Sequence, residues 1–345
     1  MKRALVISGG GSKGAFAVGV LKQLLQTYPT LDFDMYVGTS AGSLIVTLAA
    51  LNEIDVLEQV YTTTATADII TKFNIGDRIN EHSLFEVNGA WNKINAFYPD
   101  AKYAQLLALG KQVLLTTTCL QNERLTVFTN GAQAIQPTGY DVTQIINADH
   151  YRKALLASIC EPVFMPPVKV NLHVPGNPNP DYQFVDGGVT KYAGVQMAID
   201  AGATEIFTIL LSPKTAEPVA GEFTNLLSIL QRTIDILTTD VGITDLSIPQ
   251  QYNDALQYIA AVKDKMLAAG LPAVQANDFF TVGNNSLFEG KSPLKLFTIR
   301  PQAPLGGGPG GLDFIPAEMQ QMLAKGEAAS NDFIASLTPA DITWA

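Results

Sequence analysis

Asp34-Met35-Tyr36-Val37-Gly38-Thr39-Ser40-Ala41-Gly42-Ser43-Leu44-Ile45-Val46-Thr47-Leu48-Ala49-Ala50-Leu51 reads as a short apolar strand over 34–38 that turns directly into a nearly all-apolar helix over 41–51. At the junction lies Gly38-Thr39-Ser40-Ala41-Gly42, a G-x-S-x-G pentapeptide. Small residues around Ser40 permit the sharp turn that lifts a serine Oγ above the end of a sheet. A glycine-rich turn packed closely on a sheet is the plainer explanation. The strand before it and the helix after it weigh against that.

Nearer the N-terminus, 3–8 is a short run suited to a buried parallel strand, and Gly9-Gly10-Gly11-Ser12-Lys13-Gly14 is a glycine turn. Residues 15–26 follow as a helix with Phe16, Val20, Leu21, Leu24 and Leu25 on one stripe, ended by Tyr28-Pro29. Strand, helix, strand, helix predicts an α/β sheet covered on both faces. Further on, 111–120 and 124–130 predict two strands joined at Gln121-Asn122-Glu123, and 151–160 a helix ended by Pro162. A strand at 182–185 leads into Gly187-Gly188, a helix at 192–201 is capped by Gly202, and 205–211 is another buried strand. Residues 62–100 are less regular and suit a cap or lid. Beyond Pro213 come amphipathic helices at 224–238 and 251–269, a strand at 294–300, a Gly/Pro-rich loop at 304–311 and a final helix at 316–337. One domain over 1–345 is expected, with its core in 1–212 and helical additions, a last strand and a last helix in 213–345.

The net charge of -10 argues against nucleic acid as a partner and against docking on anionic membranes through a basic patch. Neutral or zwitterionic lipid stays accessible through apolar contacts. A composition 47% hydrophobic and 16% charged suits a well-packed globular enzyme. Cys119 and Cys160 lie far apart in apolar surroundings and read as reduced core thiols. His82, His150 and His173 are scattered, so no metal ligand set is expected. The apolar run after Met1-Lys2-Arg3 is too short for a signal peptide, and 41–51 is too short to span a bilayer. A cytoplasmic location is therefore expected.

Three segments carry chemistry. The glycines of 9–14 can take positive φ and aim several N–H groups at one anion. The loop also matches G-x-G-x-x-G literally, so a dinucleotide site is a rival; it is not a Walker A loop, because Lys13 precedes the last glycine. Asp32 and Asp34 have roughly the spacing of the acid such a site requires, yet they precede the second strand instead of following it. Ser40 needs a base, and the imidazole triads place histidine last in α/β-hydrolase order. No histidine lies beyond His173. Phe184-Val185-Asp186-Gly187-Gly188 instead puts a carboxylate at a strand end, although an acid before glycine is also a common turn former. A free aspartate, with pKa about 3.9, is a weak base. Burial raises that value, and a hydrogen bond to the hydroxyl would orient both groups.

Together these segments resemble the patatin-like phospholipases. The resemblance implies a three-layer α/β/α fold with a mostly parallel central sheet and helical additions. It assigns Gly9, Gly10, Gly11, Ser12, Lys13 and Gly14 to an oxyanion loop, acting through the N–H groups of Gly10 and Gly11. Ser40 becomes the nucleophile, flanked by the elbow glycines Gly38 and Gly42. Asp186 becomes its base, supported by Gly187 and Gly188. Ala157-Ser158-Ile159-Cys160-Glu161-Pro162, the end of the late strand at Arg300-Pro301 and the last helix around Gly326 are also similar to the family. The implied activity is hydrolysis of acyl esters of phospholipids or related lipids, without metal or other cofactor, in transient contact with a membrane surface. Acyl transfer to other acceptors and proteolysis remain open on the same scaffold. Lys13 reads equally as a solvated first-turn lysine or a direct participant. Segments 62–110 and 213–290 suit a lid over an acyl channel or plain core.

Overall fold

The computed structural model describes residues 2–344 except 74, 79, 132–134, 216, 217, 219, 220, 282, 284–287, 289 and 290, so part of the 213–290 lid candidate lies outside the described residues. The strands are β1 (Arg3–Ile7), β2 (Met35–Thr39), β3 (Thr71–Lys72), β4 (Phe85–Glu86), β5 (Gln112–Cys119), β6 (Leu125–Thr129), β7 (Asp141–Gln144), β8 (Phe184–Asp186), β9 (Glu205–Ile209) and β10 (Lys295–Ile299). The helices are α1 (Gly14–Thr27), α2 (Ala41–Ala50), α3 (Ile54–Thr63), α4 (Ile75–Arg78), α5 (Asn88–Phe97), α6 (Asp100–Ala108), α7 (Ala148–Ile159), α8 (Val195–Asp200), α9 (Leu226–Ala268), α10 (Ala273–Asp278) and α11 (Pro316–Ser336).

The main sheet runs β10-β9-β1-β2-β5-β6-β7, with β8 also on β5. From β10 to β5 the pairing is parallel; β6 and β8 are antiparallel to β5, and β7 is parallel to β6. In β1, Leu5 and Ile7 join the core on one face while Ala4 and Val6 join the core on the other, all four out of solvent. A strand buried on both faces needs apolar residues at every position, which is why 3–8 reads as a continuous run. Helices α1, α2, α3, α7 and α11 cover the first face, and α8 covers the second. The fold is the α/β sandwich expected, one layer much thicker than the other. In the thick layer α1 and α11 touch backbone to backbone: a Cβ on Gly19 would sit 2.0 Å from the Leu323 carbonyl oxygen, and one on Gly326 2.0 Å from that of Phe16.

Two readings of the chain need correction. The amphipathic segments 224–238 and 251–269 form one helix, α9, which runs through Pro249. An interior proline removes a hydrogen bond and costs about 3 kcal/mol. Tertiary anchors on both sides offset it: Asp245 is held by the Lys191 ammonium at 2.7 Å and the Tyr192 N–H at 2.6 Å, and Asn253 exchanges two hydrogen bonds with the Leu294 backbone. The helix expected from 192 starts only at Val195, because Gly194 takes the left-handed conformation at φ 67°.

One topological feature positions the site. Along a single edge of β5, Thr116 pairs with Thr39 of β2 and the next residue, Thr117, pairs with Asp186 of β8. β2 and β8 thus meet head to head, and the residue after Thr39 is Ser40.

Candidate active site

Ser40 sits on the turn from β2 into α2 with φ 54° and ψ -130°, a region non-glycine residues avoid at a cost of roughly 1–3 kcal/mol. A polar relay holds it there. The Ser40 N–H donates to Ser158 Oγ at 3.1 Å, Ser158 and Ser43 share a hydroxyl contact of 2.6 Å, and Ser43 Oγ donates to the Gly38 carbonyl at 2.9 Å. Ser158 and Ser43 are fully buried, so each hydroxyl needs these partners. The elbow glycines permit close packing: a Cβ on Gly38 would come 2.5 Å from the Ser43 backbone, and one on Gly42 2.2 Å from the Ile7 carbonyl.

Asp186 lies beside the Ser40 hydroxyl, whose interaction with the carboxylate lowers its pKa. Its carboxylate accepts the Gly188 N–H at 2.7 Å, while its own N–H donates to the Cys160 carbonyl at 2.8 Å. Gly187 keeps the turn tight, since a Cβ there would meet Thr116 Oγ1 at 2.3 Å. Burial pushes the Asp186 pKa up to about 6, against the opposing hydrogen bonds from Ser40 and Gly188. A carboxylate in that range is a far better proton acceptor than a free one, and it is ionised at neutral pH.

The glycine loop bends over Ser40, with Gly9 so close that a Cβ would lie 3.1 Å from Ser40 Cβ. Gly10 (φ 156°) and Gly11 (φ 55°) both use backbone that favours glycine. The Gly9 N–H is committed to the Tyr192 carbonyl at 3.3 Å. Among the described residues the N–H groups of Gly10 and Gly11 have no partner, and both residues line the cavity. Ser12 and Gly14 turn away from it: Ser12 packs beneath Gly307, and Gly14 against the Tyr61 ring. Lys13 is half-buried and lines the cavity, its ammonium pKa lowered by burial and raised in part by Asp235 and Glu161.

The cavity measures about 910 Å³, and Ser40 and Asp186 line it. The arm lined by α2, α3 and α5 is mainly apolar, with Leu44, Leu48, Leu57, Val60, Ile94 and Phe97, and carries one charged residue, Lys93. The side toward α9 is mixed, with Lys214, Arg232, Asp235 and Arg300 beside Ile243, Leu246 and Leu296. None of the histidines lines it: His82 and His173 are exposed, and His150 is buried against Asn171. Asp32 and Asp34, the acids of the dinucleotide reading, lie at the opposite ends of the strands, engaged by Lys111 and by the Arg3 N–H.

The sequence assigns no chemical role to several cavity residues, although Glu161 falls in the 157–162 segment that resembles the family. Glu161 lines the cavity with Ser40 and Asp186, its pKa pushed up to about 8 by burial first and by Asp186 and Asp235 next. Its carboxylate packs on Gly310, whose N–H donates to Asp235 at 3.0 Å. Gly311 stands on the glycine loop itself: a Cβ on Gly311 would lie 2.2 Å from the Gly10 carbonyl oxygen. The Gly/Pro-rich loop expected at 304–311 therefore packs against the glycine loop.

The chain is 41% identical over 64 residues to the cUMP-AMP-activated phospholipase of Escherichia coli, a stretch covering 17% of this chain and 20% of that protein. It thus spans about a fifth of the length of that relative. The solved structure of VipD from Legionella pneumophila superposes with a TM-score of 0.40 at 11% identity, over 97% of this chain and 67% of that one. The model of the patatin-like phospholipases matches residues 5–199, more than half of the sequence and the whole span from the glycine loop through Ser40 to Asp186. The chain belongs to the patatin-like phospholipase family.

Proposed function

We propose that the chain hydrolyses acyl esters of lipids, with Ser40 as nucleophile and Asp186 as the one base. The observation that carries this reading is the head-to-head meeting of β2 and β8, which leaves a hydroxyl within reach of a buried carboxylate and no imidazole between them. Asp186 takes the Ser40 proton as Oγ bonds to the ester carbonyl carbon. The oxyanion formed faces the free N–H groups of Gly10 and Gly11, each such donor contributing about 2.7–4 kcal/mol to the transition state. Asp186 returns the proton to the departing alcohol oxygen as the C–O bond breaks, leaving acyl-Ser40. Water, deprotonated by Asp186, then attacks the acyl carbon, and the proton passes back to Ser40 as the fatty acid leaves. The apolar arm suits the acyl chain. Among the described residues no helix is long and apolar enough to cross a membrane, so lipid would be met at a surface.

A fluorophosphonate probe is expected to label wild-type protein at Ser40 and to leave Ser40→Ala unlabelled, with a panel of acyl-ester lipids hydrolysed by the first and not the second. Labelling at another residue, or equal hydrolysis by both proteins, removes the reading. The pH dependence has a defined sign. Asp186 acts as a base only when ionised, so kcat/KM should rise with pH through an apparent pKa near 6, the value to which burial lifts it. A limb at the free aspartate value, about 4, would mean the base is not Asp186.

A further inference from the structure

Glycine-rich backbone loses the most conformational entropy on being fixed in one shape, so it keeps a single conformation only where neighbours hold it. Gly10 and Gly11 sit at φ 156° and 55°, and Gly306, Gly307, Gly308, Gly310 and Gly311 behind them are all at positive φ. Two supports of the glycine loop trace to α9. At the first, Asp235 accepts the Gly310 N–H at 3.0 Å, and the next residue, Gly311, packs on the Gly10 carbonyl and Gly11 Cα. At the second, Asp245 accepts the Tyr192 N–H at 2.6 Å, and the carbonyl of the same Tyr192 accepts the Gly9 N–H at 3.3 Å. The two acids are ten residues apart, about 15 Å along the helix axis. Asp245 is buried and Asp235 half-buried. A carboxylate taken out of water is unfavourable unless its partners compensate. Here those partners are the two backbone bridges, with the Lys191 ammonium on Asp245 and the charge of Lys13, in the glycine loop itself, acting on Asp235.

We propose that Asp235 and Asp245 are positioning residues for the reaction at Ser40, and that α9 is a two-point clamp setting the Gly10 and Gly11 N–H groups where the oxyanion forms. The inference rests on the hydrolase reading above, which gives those N–H groups their role. Both acids act through backbone bridges and not on the ester itself. A misplacement of about 1 Å at a reacting centre is enough to cost 10²-fold. The bonds to the oxyanion exist only in the transition state, so loosening the clamp lowers kcat and leaves KM in place.

The test compares wild type with Asp235→Ala and Asp245→Ala, which remove the acceptor, and with Asp235→Asn and Asp245→Asn, which keep an oxygen for the same N–H. Asp240→Ala, an exposed acid of the same helix, is the control. On one soluble ester, kcat is expected to fall about ten-fold or more in both alanine variants with KM near wild type, and to recover largely in the asparagine variants. An alkyl trifluoromethyl ketone reads the oxyanion site directly. Ser40 Oγ adds to its carbonyl carbon, the hydroxyl proton passes to Asp186, and the ketone oxygen becomes the oxyanion. Its inhibition constant should rise in step with the loss of kcat, while an ether analogue of the ester, which forms no oxyanion, should bind as before. Equal weakening of both inhibitors, unchanged ketone binding, a loss in only one alanine variant, or the same loss in Asp240→Ala overturns the clamp. Hydrogen–deuterium exchange, with melting curves for every variant, needs no turnover. Faster exchange at 9–14 in the alanine variants supports the clamp, and unchanged exchange there removes it whatever happens to kcat. Absence of ester hydrolysis by wild type would fail the hydrolase reading by itself, and the exchange measurement still decides whether α9 holds the loop.

Discussion

Asp186→Asn is expected to lose ester hydrolysis by about four orders of magnitude, matching Ser40→Ala, while folding at least as well as wild type. The carboxamide keeps the shape of the carboxylate, and its oxygen can still accept the Gly188 N–H that now reaches Asp186 at 2.7 Å. What it cannot do is take a proton. Replacing the triad aspartate by asparagine costs about 10⁴ in kcat even where a histidine remains to act as base. Here no histidine lines the cavity, so the loss should be no smaller. Stability runs the other way. Burial raises the Asp186 pKa from 3.8 to about 6, so the native state holds a proton that the unfolded chain releases. The fold therefore loses stability as pH rises across that window, and the deficit persists above it. A neutral side chain at 186 removes the deficit, so the melting temperature of Asp186→Asn at pH 7.5 should equal or exceed that of wild type. Turnover near the wild-type rate in this variant ends the case for the dyad; a lowered melting temperature would mean that activity fell through misfolding.

What could be read from the chain before its structure follows from which forces are local. Buried parallel strands need apolar residues on both faces, so β1, β2 and β9 show as unbroken runs, and the turns that follow β1 and β2 show as glycines. Ser40 and the cavity-facing part of 9–14 are legible for that reason. Asp186 is legible only as a strand-end acid: its approach to Ser40 depends on β8 landing antiparallel on β5 where β2 stops, and nothing local in 182–188 encodes that landing. Ser158 is marked only by the family resemblance of 157–162; nothing in that segment shows that its Oγ accepts the Ser40 N–H. α9 shows the opposite failure. Pro249 signals a break, and distant side-chain anchors at Asp245 and Asn253 override it. Glu161, Asp235 and Arg300 come from three separate segments, and their convergence on one cavity is purely tertiary.

Gly311→Ala is expected to lower kcat by about 10²–10³ while leaving the acyl-binding arm intact, although residue 311 is 271 positions from Ser40 in sequence. The new Cβ would fall 2.2 Å from the Gly10 carbonyl oxygen and 3.2 Å from Gly11 Cα, and residue 311 would have to keep φ at 75°. The obstacle is backbone, so no rotamer change relieves it; either the 304–311 loop or the glycine loop must move. Under the proposed mechanism the N–H groups of Gly10 and Gly11 meet the oxyanion, and displacement of such a donor removes about 2.7–4 kcal/mol of transition-state stabilisation, which is the fold-loss given. A shift of about 1 Å at a reacting centre is enough to cost 10²-fold. The neighbouring Gly306 is the control, since a Cβ there meets nothing closer than 3.8 Å; its φ of 92° makes an alanine strained but leaves the glycine loop untouched. Steady-state kinetics on one soluble ester, with fluorophosphonate labelling rates and melting curves for both variants, separates the effects. Gly311→Ala should label slowly and turn over slowly with a KM near wild type, and Gly306→Ala should do neither despite a comparable change in melting temperature. If Gly311→Ala turns over as fast as wild type, the glycine loop is not held in place by this backing and the Gly10 and Gly11 donors are not the ones that meet the oxyanion.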